Sequence, residues 1–162
     1  MLMKTVAAAH SNFWQLGMNL YAQDGIKELC LKLQNQCGCD VNIVLLLTIL
    51  EAMGLTPTAD SLNALKASAD EWLDDVLAPM RSGRTGISDQ TQKEALYDIV
   101  KNLELIAEQA AHSDLFNQLE LVPISSKIHP QLPHYIQQQA KGRPVPDLSG
   151  LRETAARTVH LS

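Results

Sequence analysis

The sequence predicts an all-α protein: a single helical bundle of about five main helices with a central apolar helix, followed by a Pro-rich C-terminal tail with short helices. Three observations lead there. Apolar residues recur three and four positions apart in five successive segments, the spacing that lines one side of a helix. Those segments are punctuated by helix-stop glycines and by Asp, Asn or Ser at helix starts. No run of alternating apolar and polar residues is long enough to make a strand.

The first helix starts at Asn12, which with Gln15 has capping-box spacing, and carries Phe13, Leu16, Gly17 and Leu20 on one side before ending near Asp24-Gly25. Trp14, Met18 and Tyr21 lie beside that stripe and widen the apolar arc to about 200°. One neighbour cannot cover such an arc, which makes Trp14 and Tyr21 candidate anchors of an interaction surface. The second helix aligns Ile26, Leu29, Cys30, Leu33 and Cys37, and Gly38 is placed to stop it in a left-handed cap. Asp40 then caps the third helix, Val41 to Met53, in which only Asn42, Thr48 and Glu51 are polar. A helix apolar on every side belongs in the middle of a bundle. At about 20 Å it is too short to cross a bilayer core of about 30 Å.

Thr56-Pro57 opens a fourth element whose Leu62, Leu65, Ala69, Trp72, Leu73, Val76 and Met80 keep to one side over five turns. Pro79 removes a backbone donor and is expected to kink or end this helix before Arg81, leaving Ser82 to Ser88 as a loop with two glycines. Ser88-Asp89 starts a long fifth helix with a core face of Leu96, Ile99, Val100, Leu103, Ile106, Ala107 and Ala110. Its end at Leu121 and a break at His112-Ser113-Asp114 are both compatible with the pattern. Beyond Pro123 come four further prolines and five basic residues against two acidic ones. Residues 1–122 are accordingly read as the bundle domain and 123–162 as a tail, partly helical or mobile, with short helices near 132–141 and 148–158.

Composition narrows the function classes. Thirteen Lys and Arg against 18 Asp and Glu give a net charge of −5, without the positive field that draws a protein onto phosphates or anionic lipid. Neither nucleic acid nor a membrane is an expected partner. Three cysteines are too few for a disulfide framework and fit a reducing, cytoplasmic setting. The N-terminal run Val6 to Ala9 is too brief for a signal-peptide core.

Several motifs give the chain a resemblance: Phe13-Trp14, Tyr21, Gly25, the run Cys30-Leu31-Lys32-Leu33-Gln34, and Gly38 followed by Asp40-Val41-Asn42. It resembles a group of small gammaproteobacterial all-helical proteins of unknown function. That group's tryptophan followed by a proline and two arginines is matched by Trp72, Pro79, Arg81 and Arg84, and its glutamate pair by Glu104 and Glu108. The resemblance runs from Phe13 to Leu121, departs at Cys37 and Cys39, and implies a fold and no activity.

Candidate sites are few. Cys37 and Cys39 could supply half of a zinc or copper site, but no second pair completes four ligands, and a helix end with one buried thiol is the simpler reading. The acidic run Asp70-Glu71-Trp72-Leu73-Asp74-Asp75 is of the kind that holds magnesium against a diphosphate in isoprenoid synthases. Such enzymes need two facing clusters in a much longer chain, and these acids point away from the apolar side of their helix, as a solvated face does. Glu104, Glu108 and His112 share a helix side with Glu94, Tyr97 and Lys101, yet a bundle di-iron site wants a histidine three residues after a glutamate, where Ala107 and Ala111 stand. Two glutamates one turn apart repel unless a cation sits between them, and Arg81 and Arg84 can form such a clamp. Gln34 and Asn42, polar beside apolar faces, each need a partner; with Arg81, Arg84, Glu104 and Glu108 they would line a ligand pocket if they converged. No nucleophile elbow or phosphate loop is present.

The expectation is therefore a non-enzymatic, cytoplasmic protein-interaction or regulatory domain. Its partner is another protein, a homo-oligomer is compatible with the pattern, and no cofactor is required. The alternative is a small-molecule or metal-binding protein, an enzyme included, built on Arg81, Arg84, Glu104 and Glu108.

Overall fold

The computed structural model describes residues 13–88 and 94–160; Asn12 of the expected capping box and Asp89 of the expected helix start lie outside them. The described chain is helical apart from turns and two three-residue strands. It forms two compact units, one made of the residues up to Thr58 together with those from Glu120 onward, the other of Ala59–Leu119.

The larger unit is built around one helix. Helix α1 (13–21) buries Phe13, Leu16 and Leu20, and a Cβ at its Gly17 would meet Ile49 Cδ1 at 4.0 Å. Helix α2 (Ile26–Lys32) runs into a π-helical turn, Leu33–Cys37, and its buried side is Ile26, Cys30, Leu33 and Cys37. Gly38 ends this segment at φ 75°, as its position in the sequence predicts. Asp40 caps α3 (Val41–Ala52), its Oδ1 accepting from the backbone N–H of Asn42 at 2.7 Å and of Ile43 at 3.2 Å. Every residue from Ile43 to Leu50 is buried, including Thr48, whose hydroxyl donates to the Val44 carbonyl at 2.7 Å.

The strands are absent from the sequence expectation. β1 (Leu55–Pro57) pairs antiparallel with β2 (Leu121–Pro123), Thr56 opposite Val122. Three residues are too few for an alternation to register, and Thr56-Pro57, expected to open the next helix, lies in β1 instead. The Thr56 hydroxyl accepts from the Gln131 backbone N–H at 3.0 Å, at the start of α7 (Gln131–Ala140). Helix α8 (Ser149–His160) follows. These two helices stand close to the positions expected for the tail, but they bury Leu132, Tyr135, Ile136, Leu151 and Ala155, and both touch α3.

Three groups of this C-terminal segment hold the turn before α3. The Tyr135 hydroxyl accepts from the Asp40 N–H at 2.8 Å. The Arg143 guanidinium donates to the carbonyls of Cys37, Gln139 and Ala140 at 3.1, 3.0 and 2.8 Å, satisfying the open ends of two helices at once. The Cys37 thiol faces the Pro144 carbonyl at 3.7 Å.

The smaller unit corrects two expectations. Helix α4 (Ala59–Trp72), a π turn (Leu73–Leu77) and α5 (Ala78–Ser88) follow one another without a break, so Pro79 does not end the helix and 82–88 is not a loop. A π turn holds one more residue than an α turn, which gives the proline ring room against the preceding carbonyls. The extra residue also rotates everything after it. The buried line Leu62, Leu65, Ala69 therefore continues to Leu77, with the half-buried Arg81 and Arg84 following on the same side, while Trp72, Leu73, Val76 and Met80, expected in the core, are also only half-buried.

Helix α6 (Glu94–Asn117) passes His112 unbroken and packs against α4, the π turn and α5. Its buried residues are Glu104, Ala111, His112, Leu115 and Phe116. The expected core face is thus overturned, because Leu96, Ile99, Leu103, Ile106 and Ala110 lie exposed on the opposite side.

Leu151 tests whether the C-terminal segment belongs to the core. Leu151→Ala is expected to lower the unfolding free energy by about 2–5 kcal/mol; a change within about 0.5 kcal/mol in urea titration would place α8 outside it.

Candidate functional site

The expected clamp is present in the smaller unit, between α5 and α6. Arg81 and Arg84 stand three residues apart on α5, on the line that the π turn directs at α6. Glu104 and Glu108 stand one turn apart on α6, facing them. The Glu104 carboxylate is held on both oxygens, Oε1 by Arg81 Nε at 3.1 Å and Oε2 by Arg84 Nε at 2.6 Å. Arg81 Nη2 reaches Glu108 Oε1 at 2.9 Å. Arg84 also donates to the Tyr97 hydroxyl at 3.3 Å and lies 5.9 Å from that ring's centroid.

Burial grades the four charges. Glu104 is buried, Glu108 and Arg84 are half-buried, and Arg81 is the most open. Partial burial lowers the Arg81 pKa, but the hydrogen bonds and charges of Glu108 and Glu104 outweigh it and raise the value above ordinary. Arg84 is raised chiefly by its hydrogen bond to Glu104, then by the one to Tyr97. Each guanidinium bridges two side chains, and the nearest donors for each carboxylate are those guanidinium groups. Such a group fixes two helices against each other, and a ligand entering it would have to displace an ion pair already made.

The other expected site residues are placed elsewhere. Gln34 is exposed on the π turn after α2, and Asn42 is half-buried in the first turn of α3, both in the larger unit. Trp14 and Tyr21 are half-buried on α1, with Met18 exposed beside them. Trp72 donates its indole N–H to Asp114 Oδ2 at 3.0 Å, which ties α4 to α6. Cys37 and Cys39 are buried, free thiols, as is Cys30. Among the described residues no group of three or more His, Cys, Asp and Glu is placed to hold a metal ion, and no helix is long and apolar enough to cross a membrane.

Tyr97, which the sequence already sets on the helix side of Glu104 and Glu108, joins the clamp through Arg84. One feature escaped the sequence reading. The apolar stripe of α6 faces water, with Leu96 46%, Ile99 56%, Leu103 49% and Ile106 61% exposed. A wheel showing glutamates on one side and leucines on the other gave no reason to turn the glutamates inward; Arg81 and Arg84 provide it.

Glu104→Gln is expected to lower stability by about 1.5–3 kcal/mol in chemical denaturation, since it weakens the charge-assisted hydrogen bonds from both guanidinium groups. Glu108→Gln should cost less, because one hydrogen bond to a more open arginine is lost; equal effects would show that Glu104 does not organise the group. The buried thiols set a second expectation. Desolvation pushes Cys30 and Cys39 up to about 11 from an ordinary 9.0. A thiol raised in the folded state contributes stability that is complete below the unfolded value and lost as pH rises through the folded one. Unfolding free energy should therefore fall from about pH 9 to 11 less steeply in Cys30→Ala than in the parent, and parallel slopes would exclude this linkage.

A family model described as "Protein of unknown function (DUF2390)" matches residues 12–115, from α1 to the last turns of α6. No curated protein and no solved structure matches the chain. The family match covers well over half of the sequence, and the chain belongs to that family of proteins of unknown function.

Proposed function

We propose that this protein is a non-enzymatic, cytoplasmic helical interaction domain whose docking face is the exposed side of α6, and that the occupant of that face is a helix bearing a complementary apolar stripe. The observation that carries this reading is the inversion of α6. Its ion-paired side is turned inward, and four large aliphatic side chains are left about half exposed along roughly three turns of helix. Scattered exposed leucines are ordinary on a protein surface; a contiguous line of them is the mark of an interface.

The alternative reading, a small molecule or metal held by Arg81, Arg84, Glu104 and Glu108, is disfavoured because those groups are one another's hydrogen-bond partners. The α1 flank offers less than α6, since Trp14 and Tyr21 are each half-buried and Met18 alone of the three is exposed.

If the α6 face is open to water in the folded chain, Ile99→Glu/Ile106→Glu leaves the helical content intact and the denaturation midpoint close to that of the parent at submicromolar protein. A loss above about 2 kcal/mol would mean that these side chains are interior, and the docking face would be withdrawn.

A further inference from the structure

We infer that the occupant of the α6 face is a second copy of this chain, the two α6 helices packing antiparallel; this rests on the reading of that face as a docking surface. Three properties of the face point to self-association.

The first is spacing. Leu96, Ile99, Leu103, Ile106 and Ala110 follow one another at intervals of three, four, three and four, the seam of two helices packed knobs-into-holes with a left-handed twist. A face that meets a globular surface needs no such regularity, whereas a helix meeting its own copy needs the same repeat on both sides.

The second is charge. The positions flanking the seam are Ala95, Asn102 and Gln109 on one side and Val100 and Ala107 on the other. None is ionised. Two identical chains of net charge −5 repel at long range, and identical flanks bearing charge would bring like charges face to face. Here the charged residues of α6 lie off the seam: Glu94, Asp98 and Lys101 stand away from it, Glu104 and Glu108 face Arg81 and Arg84, and Asp114, past the end of the seam, accepts from the Trp72 indole. The contact is thus free of like-charge opposition.

The third is the identity of the seam residues. Leucine holds the positions that precede a three-residue step and isoleucine those that precede a four-residue step. In a parallel pair each layer would match leucine with leucine and isoleucine with isoleucine, an order that disfavours two strands. Reversing one helix brings Leu96 against Ile106 of the second copy and Ile99 against Leu103 of the second copy. The layers formed by the four large residues then each hold one of each, and the two-fold relation closes the assembly at two chains. Four half-exposed side chains per copy make a small interface, so the dimer should form in about the micromolar range.

Sedimentation equilibrium of the full chain from about 1 to 200 μM reads this directly, with Ile99→Glu/Ile106→Glu beside the parent. The parent should pass from monomer to dimer with little response to added salt, and the variant should stay monomeric at every concentration. A parent monomeric throughout, or a variant that dimerises as the parent does, overturns the inference. In the monomeric case bis-ANS fluorescence separates the two readings. Dye bound by the parent and not by the variant leaves the docking face standing with a different occupant. Dye bound by neither means that the chain covers the face itself, and the docking reading falls with the dimer.

Discussion

Helix α3 has no side that it can show to water, and the organisation of the larger unit follows from that constraint. An amphipathic helix needs one neighbour along one stripe; a helix buried continuously from Ile43 to Leu50 needs them all round. The segment before it supplies α1 and α2. The rest of the enclosure comes from α7 and α8, more than seventy residues downstream, which is why the chain must come back after α6. The Tyr135 hydroxyl, which accepts from the Asp40 N–H, and the Arg143 guanidinium, which donates to the Cys37 carbonyl, keep that return in register. They tie the start of the buried helix to the segment that covers it.

How much of this the sequence discloses depends on whether the cause is local. Caps and stops were legible because a cap acts over three or four residues: Gly38 takes its left-handed turn and Asp40 its two amides where the pattern placed them. The Arg81, Arg84, Glu104 and Glu108 cluster was legible for a related reason, since four charges at helical spacings have few ways to avoid repulsion other than facing each other. What the sequence concealed were effects of one residue or of distance. A single extra residue in the π turn carries the helix through Pro79 and moves its buried line from Val76 to Leu77. A proline-rich composition after Pro123 suggested a tail, although Leu132, Tyr135 and Ile136 already had the spacing of a buried helix side. The two strands are too short to leave any pattern.

The inversion of α6 shows why hydrophobicity alone misplaces a helix face. Its leucines and isoleucines would ordinarily turn inward, and each half-exposed one forgoes a favourable transfer term. Opposing this, a carboxylate that accepts from two guanidinium groups in a partly desolvated place is among the stronger polar contacts a surface helix can make, and it is directional where apolar contact is not. Trp72 with Asp114, and Leu115 and Phe116 further along, complete the same side. The helix is oriented by its polar groups, and the apolar stripe is left over.

The two-stranded ladder at β1 and β2 brings together residues sixty-six positions apart, Thr56 with Val122, so the whole of Ala59–Leu119 is an insertion whose two ends leave and re-enter at one place. This has a consequence for the order of synthesis. The insertion is continuous in sequence, so all of its own packing partners are present once it emerges. The larger unit cannot, because α3 is made roughly 110 residues before the end of α8, a wait of about 5 to 20 seconds on a translating ribosome. For that interval the most apolar helix of the protein lacks two of its neighbours. A chain that stops short of α7 is therefore not a smaller version of the protein but a sticky fragment, suited to chaperones and proteases rather than to work.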